Sequence, residues 1–383
     1  MTKKLNFTYV IPVLVSFFVM SFCDLVGIGV DSVKHDFGLS NTMAQLIPSA
    51  VFVWFFILSV PVGILQDRIG KRNMVNIGMG ITAIGLFIPY LFYTFATVLF
   101  GFALLGIGNT IVQVSANPLL VDVVPSNRTS SFLSFSQFIK AIGSMIAPPL
   151  AGFFALKFGD WKILFLVFGV VSVLSVFWLS MIKIEETRNL EKRATFGSSF
   201  GLLNNGFIFI MVMGIFLVVG IDVGINAVSG QFLKNKFDSQ PAFYQLGRSV
   251  YFFGKMLGTF GGALMLTLLP SRKFFLWSSI LALLSILALI FAPTAMSAMV
   301  IIFIIGLGVA NIFPLIFSLS VEKYPVRTNE ISGLMIMAVS GGAVIPLLIG
   351  SLTDNVGVTA GMLVLVACAV YELFTALVNL KRV

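Results

Sequence analysis

Twelve stretches of mainly apolar residues recur along this chain, near 9–33, 43–66, 74–94, 96–124, 129–156, 161–183, 202–232, 243–269, 273–293, 295–321, 328–353 and 358–380. Each reaches the roughly 20 residues that carry a helix across a bilayer. In lipid every backbone donor and acceptor needs an internal partner, which only helices and closed barrels supply. These runs are too long and too unalternating for barrel strands. The sequence therefore predicts an all-α, polytopic membrane protein with twelve transmembrane helices. Of the residues, 58% are hydrophobic and 10% charged, more apolar surface than a soluble domain can hide. Forty Phe and 35 Gly suit helices that face acyl chains on one side and pack closely on the other.

The net charge of +9 is scattered through short polar connections rather than gathered into a stripe, so no nucleic-acid partner is expected. Topology accounts for it. With the N-terminus inside, one set of connections holds Lys3, Lys4, Arg68, Lys71, Arg72, Arg128, Lys183, Arg188, Lys192, Arg193, Arg272, Lys273, Lys323, Arg327, Lys381 and Arg382. The opposite set holds Lys34, Lys157, Lys162, Lys234 and Lys236, with Arg248 near a boundary. The positive-inside rule then puts both termini in the cytoplasm. The opening MTKKLNF leads into an apolar run without a small-residue cleavage site, which reads as a retained first span.

The longest charged connection, Lys183 to Ser199, separates six runs from six, and the halves echo each other. LLGIG at 104–108 matches IIGLG at 304–308, and Pro125 matches Pro325, both 200 residues apart. Pro148, Gly152 and Gly159 match Pro346, Gly350 and Gly357 at 198, as do Asp24 and Asp222 in the first span of each half. Two six-helix bundles, 1–188 and 189–383, are expected. Parallel repeats of this kind imply a pseudo-two-fold along the membrane normal and a ligand site at mid-membrane.

Between the second and third spans stands GILQDRIGKRN, Gly63 to Asn73. It resembles the loop signature of the major facilitator superfamily, G-x-x-x-D-R-x-G-[RK]-[RK]. Here Gly63 lets helices approach, Asp67 is placed to pair with a basic residue or cap a helix end, and Arg68, Lys71 and Arg72 hold the loop inside. Gly63, Asp67, Arg68 and Arg72 are taken as the gating loop. QVSANPLL (113–120), NIFPLIFSLSVE (311–322) and SGLMIMAVSGGAVIPLLIGSLTDNVG (332–357) are similar to signatures of the fucose permease and glucose/galactose transporter branch. That resemblance implies a bacterial inner-membrane permease moving a monosaccharide or close relative, usually in symport with protons and in some relatives with sodium. The branch's first-span carboxylate has its counterpart in Asp24, whereas its fourth-span glutamate is Gln113 here, and its fifth-span Q-x-x-N becomes Gln137 and Lys140.

Asn109, Gln113 and Asn117 recur every four residues and share a helix face. Amides offer donors and an acceptor to sugar hydroxyls without fixing a charge, so this face is expected to line the cavity; interhelical bonding is the alternative. Lys140 lies about 18 Å of helical rise beyond Arg128, near mid-depth, where a charge costs roughly 2.5–3.5 kcal/mol. Pairing with Asp24, at comparable depth, would keep both charged at less cost. The expectation is a built-in cation beside Asp24 that couples proton movement to transport, with a fixed structural bridge as the alternative. A tightly held sodium ion in the first half is correspondingly disfavoured, and an anionic sugar acid stays open as substrate.

In the second half Asp222 and Asn226 share a face, and Lys255 is a candidate partner for Asp222. Asn311, ahead of Phe313 and Pro314, is a candidate sugar contact, and Glu372 has no evident partner. The only histidine, His35, sits at a membrane edge, and no metal-ligand spacing, clustered base or GxxxxGKS loop occurs. No cofactor or metal is expected, an enzyme is disfavoured, and a single chain is taken as the working unit. Cys23 and Cys368 read as packing residues. A non-transporting sensor and a solute exporter are the rivals on the same architecture.

Overall fold

The computed structural model describes residues 5–39, 43, 46–187, 194–237 and 241–380, and no strand occurs among them. The first span runs as helix Phe7–Met20, a 3-10 stretch Ser21–Leu25 and helix Val26–Phe37. The second to sixth spans are Leu46–Ile69, Lys71–Leu91, Phe95–Val123, Thr129–Phe158 and Ile163–Ser180. The seventh, eighth and ninth are Gly206–Phe237, Pro241–Met265 and Ser271–Ile290. The tenth is split into Ala295–Val309 and Ile312–Lys323, and the eleventh into Thr328–Met337 and Gly341–Val356 around a 3-10 turn, Ala338–Ser340. Val358–Leu380 is the twelfth. Eleven helices among the described residues are long and apolar enough to cross a membrane. The eighth is described in part only and is not one of them.

The internal repeat is carried into local structure. Thr94 and Thr294 open the fourth and tenth spans as N-caps, each reciprocated by the hydroxyl three residues on, Thr97 and Ser297. Such boxes satisfy donors that a helix start otherwise leaves bare. Gly159 and Gly357 end the fifth and eleventh spans with φ of 72° and 118°, a region that side chains with a Cβ rarely enter. Within the first half the third and fourth spans meet backbone to backbone: a Cβ on Gly78 would lie 2.7 Å from the Gly108 carbonyl, and one on Gly85 2.7 Å from that of Gly101. Small residues at such crossings are how membrane helices gain close packing. Large apolar side chains such as Phe56, Phe177, Trp277 and Leu347 are exposed, as a lipid-facing surface requires.

Two compact units emerge. One comprises Met1–Ser126, Ile139–Gly201 and Tyr324–Met337; the other comprises Asn127–Phe138, Leu202–Lys323 and Ala338–Val383. They follow the sequence halves except at two helix starts, where each unit takes the first turns of a span from the other half. The expected boundary at 188/189 lies outside the described residues.

In the first unit, the Asp36 carboxylate accepts hydrogen bonds from Tyr93 Oη at 2.7 Å and Trp161 Nε1 at 3.0 Å, joining three helix ends. Burial works to raise this carboxyl, but the bonds from Tyr93 and Trp161, with His35 beside it, outweigh it and hold it below its ordinary value of 3.8. A depressed carboxylate stabilises the fold above its unfolded pKa, and that contribution disappears as pH falls through the folded value. Asp36→Asn is therefore expected to lower the melting temperature at neutral pH, with the difference from wild type vanishing below pH 3.8. Thermal melts across that range check it. His35 itself is 90% exposed, a solvated side chain.

Candidate functional site

The first span loses its α-helical pattern at Ser21–Leu25 without a Gly or Pro to break it; packing imposes the change. Asn109 of the fourth span donates through Nδ2 to the Met20 carbonyl at 2.6 Å, capturing the backbone just ahead of the tighter turn. The fifth span presses in at Gly143, where a Cβ would lie 2.0 Å from Ser21 Oγ. The result buries Ser21, Phe22, Cys23 and Leu25 and leaves Asp24 exposed. A 3-10 stretch inside a longer helix often marks a functional hinge.

Ser144, one turn beyond Lys140, donates its hydroxyl to the Asp24 carboxylate. Lys140 is half-buried, and both its charge and that of Asp24 act on the Cys23 thiol. Among the described residues Lys140 and Asp24 form no ion pair, and Ser144 is the hydrogen-bond partner of the carboxylate. The two charges share one small region, and among the described residues neither has a counter-ion in contact.

The amide stripe is bonded within its own helix. Asn109, Gln113 and Asn117 are all buried and bond along their own helix, Gln113 Nε2 to Asn109 Oδ1 at 2.7 Å and Asn117 Nδ2 to the Gln113 carbonyl at 2.8 Å. An i,i+4 spacing serves such a ladder as well as it serves a ligand. The Asn117 Oδ1 atom is left buried without a partner. Gln137 is half-buried on the fifth span.

In the second unit Asp222 accepts Lys255 Nζ at 2.5 Å and Tyr251 Oη at 2.6 Å, so this carboxylate has both a counter-ion and a hydroxyl. Asn226 has its side chain outside the described residues. Asn311, in the break of the tenth span, is buried; its Nδ2 donates to the Gly258 carbonyl at 2.7 Å, and its side chain fills the space a Cβ on Gly262 would need. Its Oδ1 has no partner.

The loop motif is engaged through residues the sequence reading missed. A Cβ on Gly63 would lie 2.9 Å from the Asn329 carbonyl and 3.1 Å from Gly333 Cα, so the second span and the start of the eleventh touch through their backbones. Asp67 accepts from the Asn329 side chain and from the Ala194 N–H at 3.0 Å, not from a basic residue. Glu330 accepts from Arg327 Nε at 2.6 Å and from Ser198 Oγ at 2.5 Å. Arg68 is exposed; Arg72 donates its side chain to the Ile182 carbonyl. Lys71, expected as a loop charge, is buried instead, with Nζ 2.5 Å from Asp122 and 3.1 Å from the Thr187 carbonyl. Glu186 accepts the Lys71 and Arg72 N–H groups at 2.8 and 3.0 Å, an anion at a helix start.

The second unit repeats this arrangement with hydroxyls. Arg128-Thr129-Ser130-Ser131 corresponds to Arg327-Thr328-Asn329-Glu330, 199 residues on. Ser130 meets Ser318 at 2.7 Å and Ser271 at 2.8 Å, and Ser131 donates to the Ala263 carbonyl at 2.5 Å. The sequence signal was an Arg-Thr pair a few residues past a proline, Pro125 and Pro325, after the fourth and tenth spans.

Comparison with known proteins agrees with this architecture. The chain is 28% identical over 372 residues to the glucose/galactose transporter of Brucella abortus, covering 91% of this chain and 88% of the relative. It is likewise 28% identical over 401 residues to a putative glucose/galactose transporter of Helicobacter pylori, covering 96% and 95%. Its fold matches that of the E. coli fucose:proton symporter FucP with a TM-score of 0.84 at 18% identity, over 97% of this chain and 99% of that one. Residues 12–228, more than half the chain, match the Major Facilitator Superfamily. The protein is thus a multi-pass membrane transporter, not an enzyme, and belongs to the Major Facilitator Superfamily.

Proposed function

We propose that this transporter carries a monosaccharide or close relative into a bacterial cell across the inner membrane by alternating access, in symport with protons. Both termini then lie in the cytoplasm, as the charge asymmetry requires. The observation that carries the coupling is Asp24: an exposed carboxylate on an otherwise buried turn, held by a hydroxyl and near an ammonium that has no counter-ion in contact. Protonating Asp24 removes the negative charge near Lys140, which changes the net charge of this region and biases one state against the other. Similarity to the glucose/galactose transporters supports the sugar, and likeness in fold to a fucose:proton symporter is in keeping with the proton. Sodium is disfavoured because Lys140 already supplies a cation.

In this reading Asp24, Lys140, Gln113 and Asn117 are the sugar-binding candidates of the first unit, and Gln137, Asn226 and Asn311 those of the second. Asp222 and Lys255 act as a charge-balanced pair that pins the seventh span. Gly63, Asp67, Arg68 and Arg72 form the cytoplasmic gate. In the alternate state the start of the eleventh span leaves Gly63 and Asp67, and the start of the fifth leaves Ser271 and Ser318.

Counterflow in proteoliposomes against a panel of neutral sugars and sugar acids tests substrate class. Exchange of a neutral hexose or its deoxy relative is expected, and a panel-wide absence of exchange would point to a sensor. The sugar-acid arm has its own support: an uncompensated Lys140 suits a carboxylate, so saturable exchange confined to sugar acids would move the substrate class there.

A further inference from the structure

Among the described residues of the second unit, Glu372 is the least accommodated charge-bearing side chain. It lies in the twelfth span, is 0% exposed, and among the described residues neither carboxyl oxygen has a hydrogen-bond partner. Beside it stands Gly214 of the seventh span, where a Cβ would be 3.6 Å from Oε2 and 2.9 Å from Ile316. An ionised carboxylate buried without a counter-ion or donor is among the costliest groups to place in an apolar interior. Cys368 and Tyr371 are the titratable groups that feel it on its own helix. Among the described residues, no charged side chain of the packed spans acts on it. On the seventh span Asp222 is engaged by Lys255 and Tyr251; Arg272 of the ninth and Glu322 and Lys323 of the tenth line a cavity instead.

That cavity supplies the second observation. It measures about 290 Å³, and Asn379 forms part of its wall together with Arg272, Glu322 and Lys323. Cys368, Glu372, Thr375 and Asn379 fall at i, i+4, i+7 and i+11 and are all buried, a single polar stripe down one face of an otherwise apolar helix. Glu372 and Asn379 are separated by about 10 Å of helical rise. Thr375 donates to the Tyr371 carbonyl at 2.9 Å and Asn379 to the Thr375 carbonyl at 2.8 Å, so the stripe offers oxygens along the way without a charge.

We infer that Glu372 is a proton-binding site separate from the Asp24 region, loaded and unloaded through Thr375 and Asn379 from the cavity bounded by Arg272, Glu322 and Lys323. The step balances as a simple transfer: a hydronium ion that enters from the cavity along the Asn379 and Thr375 face gives its proton to one carboxylate oxygen, which leaves the neutral acid and a water, and transfer back to water regenerates the carboxylate and hydronium.

Infrared spectroscopy of the full chain in nanodiscs at neutral pH tests it without any sugar, so failure of the sugar reading leaves the result intact. Wild type is expected to show a protonated-carboxyl carbonyl band that Glu372→Gln removes. Asn379→Leu is expected to keep the band and slow its deuterium shift several-fold. If Glu372→Gln does not fold, labelling of wild type with dicyclohexylcarbodiimide decides: an adduct mapped to Glu372 supports the site, and its absence overturns it. A band unchanged in Glu372→Gln overturns the site as well, and exchange unaffected by Asn379→Leu overturns the route.

Discussion

Asn in place of Asp24, or Ala in place of Lys140, is expected to abolish accumulation of substrate against its gradient while counterflow persists. Asn keeps an oxygen for the Ser144 hydroxyl, so the 3-10 turn retains its partner; what it removes is the ability to gain and lose a proton. Ala at 140 removes the cation whose compensation changes when Asp24 is protonated. The substrate ratio across the membrane should fall to unity in both, with exchange down by less than the uphill flux. Accumulation and counterflow measured on the same vesicles separate the effects. Normal accumulation by both variants would remove this pair from coupling and leave a structural role for Ser144 and Asp24.

The largest stability effect belongs to a different pair. Asp122→Leu is expected to destabilise the protein by about 3–5 kcal/mol, the range for removing one partner of a buried ion pair. Lys71 is 1% exposed, and among the described residues its ammonium would keep only the Thr187 carbonyl at 3.1 Å. The double variant Asp122→Leu with Lys71→Met is expected to recover most of the loss, since neither then buries a bare charge. Chemical denaturation of the wild type, single and double variants in one detergent checks this. An Asp122→Leu protein as stable as wild type would mean that water reaches Lys71.

The span count and the duplicated plan were legible because both rest on local information. Apolar runs long enough for a bilayer, capping hydroxyls at Thr94 and Thr294, and glycines at 159 and 357 each act within a few residues of themselves. The 3-10 turn at Ser21–Leu25 was not legible, because SFCDL contains no breaker and the turn is imposed by Asn109 and Gly143 from other helices. Period alone identified the face carrying Asn109, Gln113 and Asn117; it did not distinguish a ladder from a ligand surface. Asp67 was recognised as a helix-end or charge partner, but Asn329, its actual partner, lies 262 residues away. Lys71 illustrates the general limit: in a charged loop it counts as solvated, and only the approach of Asp122 and Thr187 shows it to be buried.

Beyond identity of the sugar, the account stands on a proton moving with substrate past Asp24 and Lys140. Uptake of the panel's best substrate into sodium-free proteoliposomes, with an imposed gradient acid outside, measures this most directly. Transient accumulation above equilibrium that collapses when a protonophore is added is expected. Equal uptake with and without the gradient, or accumulation that requires sodium, would contradict it.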